Sequence, residues 1–134
     1  MPGYKTLLAY QKAKQVADEI FTVSKTFPPE EKYSLTDQIR RSSRSVCANF
    51  AEAYRKRKYV AHFVSKLTDA DGELHETSHW ISTALACKYI ADDEHVRFQM
   101  QIEEIGKMLG KMMSMPEKFN PQQRLDGGSQ MSEA

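Results

Sequence analysis

Residues 75 to 79 read His75-Glu76-Thr77-Ser78-His79, a literal H-E-x-x-H. On a helix this spacing sets two imidazoles on one face with a carboxylate beside them, the arrangement with which zinc peptidases hold a metal and activate water. The extended form of the pattern fails, because Ser82 and Leu85 offer no third histidine, and only generic acids such as Glu103 are left to complete a ligand set. Zinc peptidases also tend to hold substrate against a sheet edge, and this chain carries no strand signal. A di-iron carboxylate bundle needs two Glu-x-x-His units, and Glu76 to His79 supplies one. There is no Gly-rich phosphate loop and no nucleophile elbow, and Cys47 lacks any sign of a paired base. The expectation is a protein that is not an enzyme, with no catalytic residue, cofactor or metal. A zinc enzyme built on His75, Glu76 and His79 is the most distant alternative.

A different chemistry is suggested by Arg40, Arg41, Arg44, Arg55, Lys56, Arg57 and Lys58, seven cations within nineteen positions relieved only by Glu52. That density suits contact with phosphates, and Tyr54 and Tyr59 offer rings on which bases stack. The bland counterpart is pairing with carboxylates of the same or a neighbouring subunit. Nineteen Lys and Arg against eighteen Asp and Glu leave a formal charge of +1, so only local clustering supports a nucleic-acid reading.

The elements that must carry these residues are all helical. Ala9, Ala13, Val16, Ile20 and Val23 recur at steps of three and four, predicting a helix over 6–26 that Pro28 and Pro29 end. Ser34 offers an N-cap, and Leu35, Ile39, Ser43, Val46, Phe50 and Ala53 place a second helix over 35–55. Val60, Phe63, Val64, Leu67, Ala70, Leu74, Ile81 and Leu85 form a third stripe, predicting an unusually long helix of about eight turns over 59–89 with Gly72 as its weak point. Asp92 and Asp93 open a fourth, with Val96, Phe98, Ile102, Ile105, Leu109 and Met112 as its apolar face and Pro116 as its stop. Short connections between amphipathic helices favour an antiparallel up-and-down four-helix bundle, all-α, spanning 1–119 with a long third helix. Residues 120–134, with little to bury and several turn formers, are expected to be a mobile tail.

Several outward positions look like subunit contacts. On an ideal wheel Arg40, Arg44 and Arg55 fall within roughly a 60° sector opposite the apolar stripe, with Cys47, Ala48 and Ala51 in or beside it. Small residues there let another backbone approach while guanidinium groups reach carboxylates. Trp80, the one tryptophan, falls on the far side of the third helix from its core stripe. Its plainer reading is a ring lying beneath a neighbouring helix of the same bundle. Gly106 and Gly110 add a weak G-x-x-x-G.

At 134 residues with 40% apolar and 28% charged side chains, the chain has ordinary single-domain composition. The N-terminus lacks an apolar h-region and no stretch is long enough to span a bilayer, so no membrane partner is expected and cytoplasm is the default location. Two widely spaced cysteines, Cys47 and Cys87, are expected to be reduced thiols.

Phe27-Pro28-Pro29-Glu30 to Tyr33, Leu35, Gln38-Ile39-Arg40-Arg41 and then Ser45-Val46-Cys47-Ala48-Asn49-Phe50-Ala51-Glu52 resemble the bacterial four-helix bundle family called 23S rRNA intervening-sequence proteins. Ala70 with Glu73-Leu74-His75-Glu76 is similar to the family's second block, and the match runs roughly from Tyr4 to Lys118. The resemblance explains Glu76 without zinc, since the family pattern has no need of the flanking histidines. Two positions depart from it: Ala53 stands where glycine is usual after A-E, and Asp71-Gly72 stands in place of G-S. The resemblance implies ring-like homopentamers, and its relation to accessory proteins of diversity-generating retroelements implies RNA or a nucleic-acid-processing protein as partner. The expected function is a non-catalytic homo-oligomeric scaffold, with RNA association through the basic patch and no small-molecule substrate; the alternative is a protein-partner recruitment module of a mobile element without nucleic-acid binding.

Overall fold

The computed structural model describes residue 3 and residues 7–121, so the expected tail falls almost wholly outside the described residues. Four helices follow in order: α1 Leu8–Ser24, α2 Leu35–Arg55, α3 Val60–Ala86 and α4 Asp92–Ser114, with 3-10 turns at Pro29–Glu31 and Pro116–Phe119. Each helix packs on its chain neighbours and α4 closes against α1, which makes an antiparallel up-and-down bundle. At 27 residues α3 is the longest helix. Its buried positions are Phe63, Leu67, Ala70, Leu74, Thr77, Ile81 and Ala84. They alternate steps of four and three without a break, the spacing that keeps one seam facing its partners along the whole helix.

The tightest seam lies between α2 and α3. Ser42 and Thr77 are fully buried there, Thr77 Oγ1 lies 2.9 Å from Ser42 Oγ, and it also donates to the Glu73 carbonyl at 2.8 Å. Small side chains with satisfied hydroxyls bring the two helices close where leucines would hold them apart. Phe50, Phe63 and Phe98 fill the volume around this seam and are at most 1% exposed.

Four expectations need correction. Val96 is not a core residue: it is 54% exposed, because it lies two residues before Phe98 and so points the other way. Val60 is 43% exposed at the start of α3, beyond the end of the packed seam. Ser34 does not cap α2 with its side chain; its Oγ donates to Glu31 Oε1 at 2.6 Å, and the same carboxylate oxygen accepts the Leu35 N–H at 3.2 Å. The third helix stops at Ala86 rather than Tyr89, since Lys88 turns left-handed at φ 64° and the Tyr89 and Lys88 N–H groups return to the carbonyls of Ala84 and Leu85, both at 2.9 Å. That pair of bonds is a Schellman ending with lysine in the position glycine usually takes, so no glycine in the sequence announced it.

Candidate interaction surfaces

The basic positions of α2 meet three different fates. Arg41 leans over α3, where its guanidinium forks onto Glu73, Nη1 to Oε2 and Nη2 to Oε1 at 3.2 Å each, and also reaches Glu76. These bonds, that to Glu73 foremost, raise the Arg41 pKa. Trp80 Nε1 donates to the same Glu76 carboxylate at 3.2 Å, and the half-buried Trp80 ring packs on the core with His79 beside it. Arg41, Glu73, Glu76 and Trp80 thus form one clasp across the α2–α3 seam.

This clasp also occupies the H-E-x-x-H segment. The Glu76 carboxylate is taken by Arg41 and Trp80, and His75 sits 76% exposed with Nδ1 2.8 Å from the Asp71 carbonyl. Among the described residues no three His, Cys, Asp or Glu side chains come together in a way that could hold a metal ion.

At the far end of α2 the 55–58 cluster is largely engaged with its own surroundings. Arg57 stacks over Tyr54, 4.0 Å from the ring centre, and donates from Nη1 at 2.9 Å to the Tyr54 carbonyl, which also accepts the Arg57 backbone N–H at 3.2 Å. Lys56 stands 4.0 Å from Glu52, whose carboxylate is held below its usual pKa chiefly by Lys66. Arg55 and Lys58 are exposed, beside the exposed Tyr59 and Val60.

The third group lies on the α1 side of α2. The half-buried Phe21 ring has Arg40 4.7 Å, Arg44 5.2 Å and Lys25 4.7 Å from its centre. Arg40 is also anchored by Nε to Ser24 Oγ at 2.8 Å. Arg44 and Arg55 lie eleven positions apart on α2, about 16 Å along its axis, so the structure divides the basic run into separate patches rather than one.

Of the small outward residues, Ala48 is exposed and Ala51 half-buried, as the wheel placed them. Cys47 is not outward. It is buried near Lys14 and Asp18 of α1, and burial pushes its thiol pKa up to about 11, because α2 is wrapped on two sides and its core arc is wider than the ideal stripe. Added Cβ atoms would meet nothing at Gly110 and only Leu74 at 3.6 Å at Gly106, so these glycines mark no close helix crossing among the described residues. Both departures from the family blocks are accommodated: Ala53 is fully buried in the core and Gly72 faces open space.

Sequence reasoning missed Phe21, Ser24 and Lys25, which no local pattern ties to Arg40 on the next helix, and it misplaced Val96. With Met100, 67% exposed, Val96 forms an apolar strip on α4 beside Asp92, Asp93, Glu103 and Glu104. Glu103 and Glu104 pair with Lys107 and Lys12, at 3.3 and 3.2 Å, while Asp92 and Asp93 have no ion pair among the described residues. No described helix is long and apolar enough to cross a membrane.

The second helix of this all-α bundle clasps α3 through Arg41, holds Lys56 and Arg57 against its own end and leaves Arg44 and Arg55 exposed. The sequence matches the family model of the 23S rRNA-intervening sequence protein over residues 5–111, and the chain belongs to that family. A crystal structure of a protein of unknown function from the S23 ribosomal protein family of Bacteroides thetaiotaomicron is similar, with 28% identity and a TM-score of 0.72 over 79% of this chain and 98% of that one. Among curated proteins no match is found.

Proposed function

We propose that the chain is a non-catalytic subunit of a homo-oligomeric scaffold, a pentamer by its family resemblance, that associates with RNA. The observation that carries this reading is a pair of exposed apolar patches with opposite rims. On α4, Val96 and Met100 lie among Asp92, Asp93, Glu103 and Glu104, with Arg97 and Lys107 of the same rim drawn onto Glu19 and Glu103; at the α2–α3 corner, Tyr59, 57% exposed, has Lys58 5.5 Å from its ring centre and the exposed Val60 next to it. Two different, complementary patches on one subunit pair head to tail between copies, and a repeated contact of that kind gives a ring when the rotation between copies closes, as the family resemblance implies. Support for RNA comes from Lys25, Arg40 and Arg44, three cations gathered at one ring with no carboxylate within 4.0 Å among the described residues.

Light scattering of the full chain at micromolar concentration tests the assembly. The expected result is a mass several times 15.4 kDa, falling to one chain in Val96→Glu/Met100→Glu. A monomeric wild type overturns it and favours the other reading, a module that recruits a protein partner of a mobile element.

A further inference from the structure

Resting on the reading that the scaffold engages RNA, we infer that the contact site is the α1–α2 seam around Phe21, where Lys25, Arg40 and Arg44 hold phosphodiester groups, and not Arg41 or the 55–58 cluster. The wide basic run treats seven cations alike, and the contacts separate them. Arg41 has its fork closed onto Glu73 and Glu76. Lys56 and Arg57 are drawn back onto Glu52 and the end of α2. Around Phe21 three cations instead gather within 4.7 to 5.2 Å of one ring centre, and no carboxylate lies within salt-bridge distance of them among the described residues.

Such a gathering is costly by Coulomb's law unless something negative offsets it. The negative end of α1, which finishes at Ser24, and the face of the Phe21 ring supply part of the offset and fix where the cations stand. The carboxylate one turn before Phe21, Asp18, is already held by Lys14 at 2.7 Å. With Nε bound to Ser24 Oγ, Arg40 is oriented while its two remaining nitrogens, for which no hydrogen bond is found among the described residues, are left to donate. Paired donors of this geometry match the oxygens of a phosphate, and neighbouring Arg44 and Lys25 extend the contact along a backbone.

The test is fluorescence anisotropy of a labelled single-stranded RNA against the full chain at two or more salt concentrations. The variants are Lys25→Ala/Arg44→Ala and Arg55→Ala/Lys58→Ala, all four being exposed positions whose removal leaves the core intact. Lys25→Ala/Arg44→Ala is expected to weaken binding about tenfold at low salt and to flatten the salt dependence by about 1.4 logarithmic units per decade, two lost phosphate contacts on a single strand. Phe21→Leu, keeping bulk without the ring face, is expected to weaken it about threefold. Arg55→Ala/Lys58→Ala, compared at a concentration where light scattering shows it assembled as wild type, is expected to bind as wild type. If that variant loses binding and Lys25→Ala/Arg44→Ala does not, the site is overturned and RNA association stands. If wild type binds no RNA at low salt, the RNA reading itself falls. If it then binds poly-glutamate with the Lys25 and Arg44 dependence given above, the seam belongs to an acidic protein instead.

Discussion

The two seams flanking α2 use the same residue type in opposite ways. Toward α3, Arg41 is spent inside the subunit, forked onto Glu73 and joined with Trp80 at Glu76 above a buried Ser42–Thr77 contact. Toward α1, Arg40 and Arg44 rest on Phe21 with no carboxylate among the described residues within salt-bridge distance. Three positions separate Arg41 from Arg44, and the side of the helix each occupies decides whether it holds the fold or faces the outside. Charge density along a sequence is therefore a poor guide to function when a helix is contacted on two sides: part of it is absorbed before any partner arrives.

The comparison breaks most severely if the α2–α3 seam is forced open. Thr77→Leu puts extra volume against Ser42 and removes the buried hydroxyl pair; a loss of about 3 kcal/mol in urea unfolding is expected. A smaller effect distinguishes the arginines. Arg41→Ala leaves Glu73 and Glu76 facing each other and is expected to cost about 1 kcal/mol, the groups being partly exposed, whereas Arg44→Ala stays within about 0.5 kcal/mol of wild type. Equal costs would erase the distinction between the seams. The smallest effect concerns the loops at one end of the bundle, where Glu31 accepts from Ser34, from the Leu35 N–H and, at 2.8 Å, from the Tyr89 hydroxyl. These bonds, that to Ser34 foremost, lower the Glu31 pKa, and the bond to Glu31 pushes the Tyr89 pKa up to about 12. A carboxylate held below its ordinary value of 4.5 stabilises the fold above that pH, and the contribution is lost as pH falls through the lowered value. Melting curves of Glu31→Gln should therefore fall below wild type at neutral pH and converge with it in acid.

Most of the fold was legible in the order of residues. Leu35–Arg55 is the span predicted for α2, and Ile39, Val46, Phe50, Phe98, Ile105 and Leu109 are buried as their spacing required. The failures share a cause: features of small or polar side chains, or of φ, leave no apolar period to read. Ser42 and Thr77 line the core without being apolar, Ala84 is too small to stand out, Lys88 ends α3 in the position glycine usually takes, and Cys47 shows that α2 is wrapped more widely than one stripe. The basic run was legible as a list of residues but not as a site.

By itself the sequence determined the helix count, the order of the helices and the long third helix, because apolar spacing and short connections act locally along the chain, and its matching residue blocks determined the family. Only the tertiary structure decided which arginine is consumed and which is presented. That choice depends on Glu73, Glu76 and Phe21, which stand far from α2 in the chain and meet it only when the bundle closes. An ion pair forms over a few ångströms of space, and the distance along the chain between its partners leaves no trace in either one's neighbours.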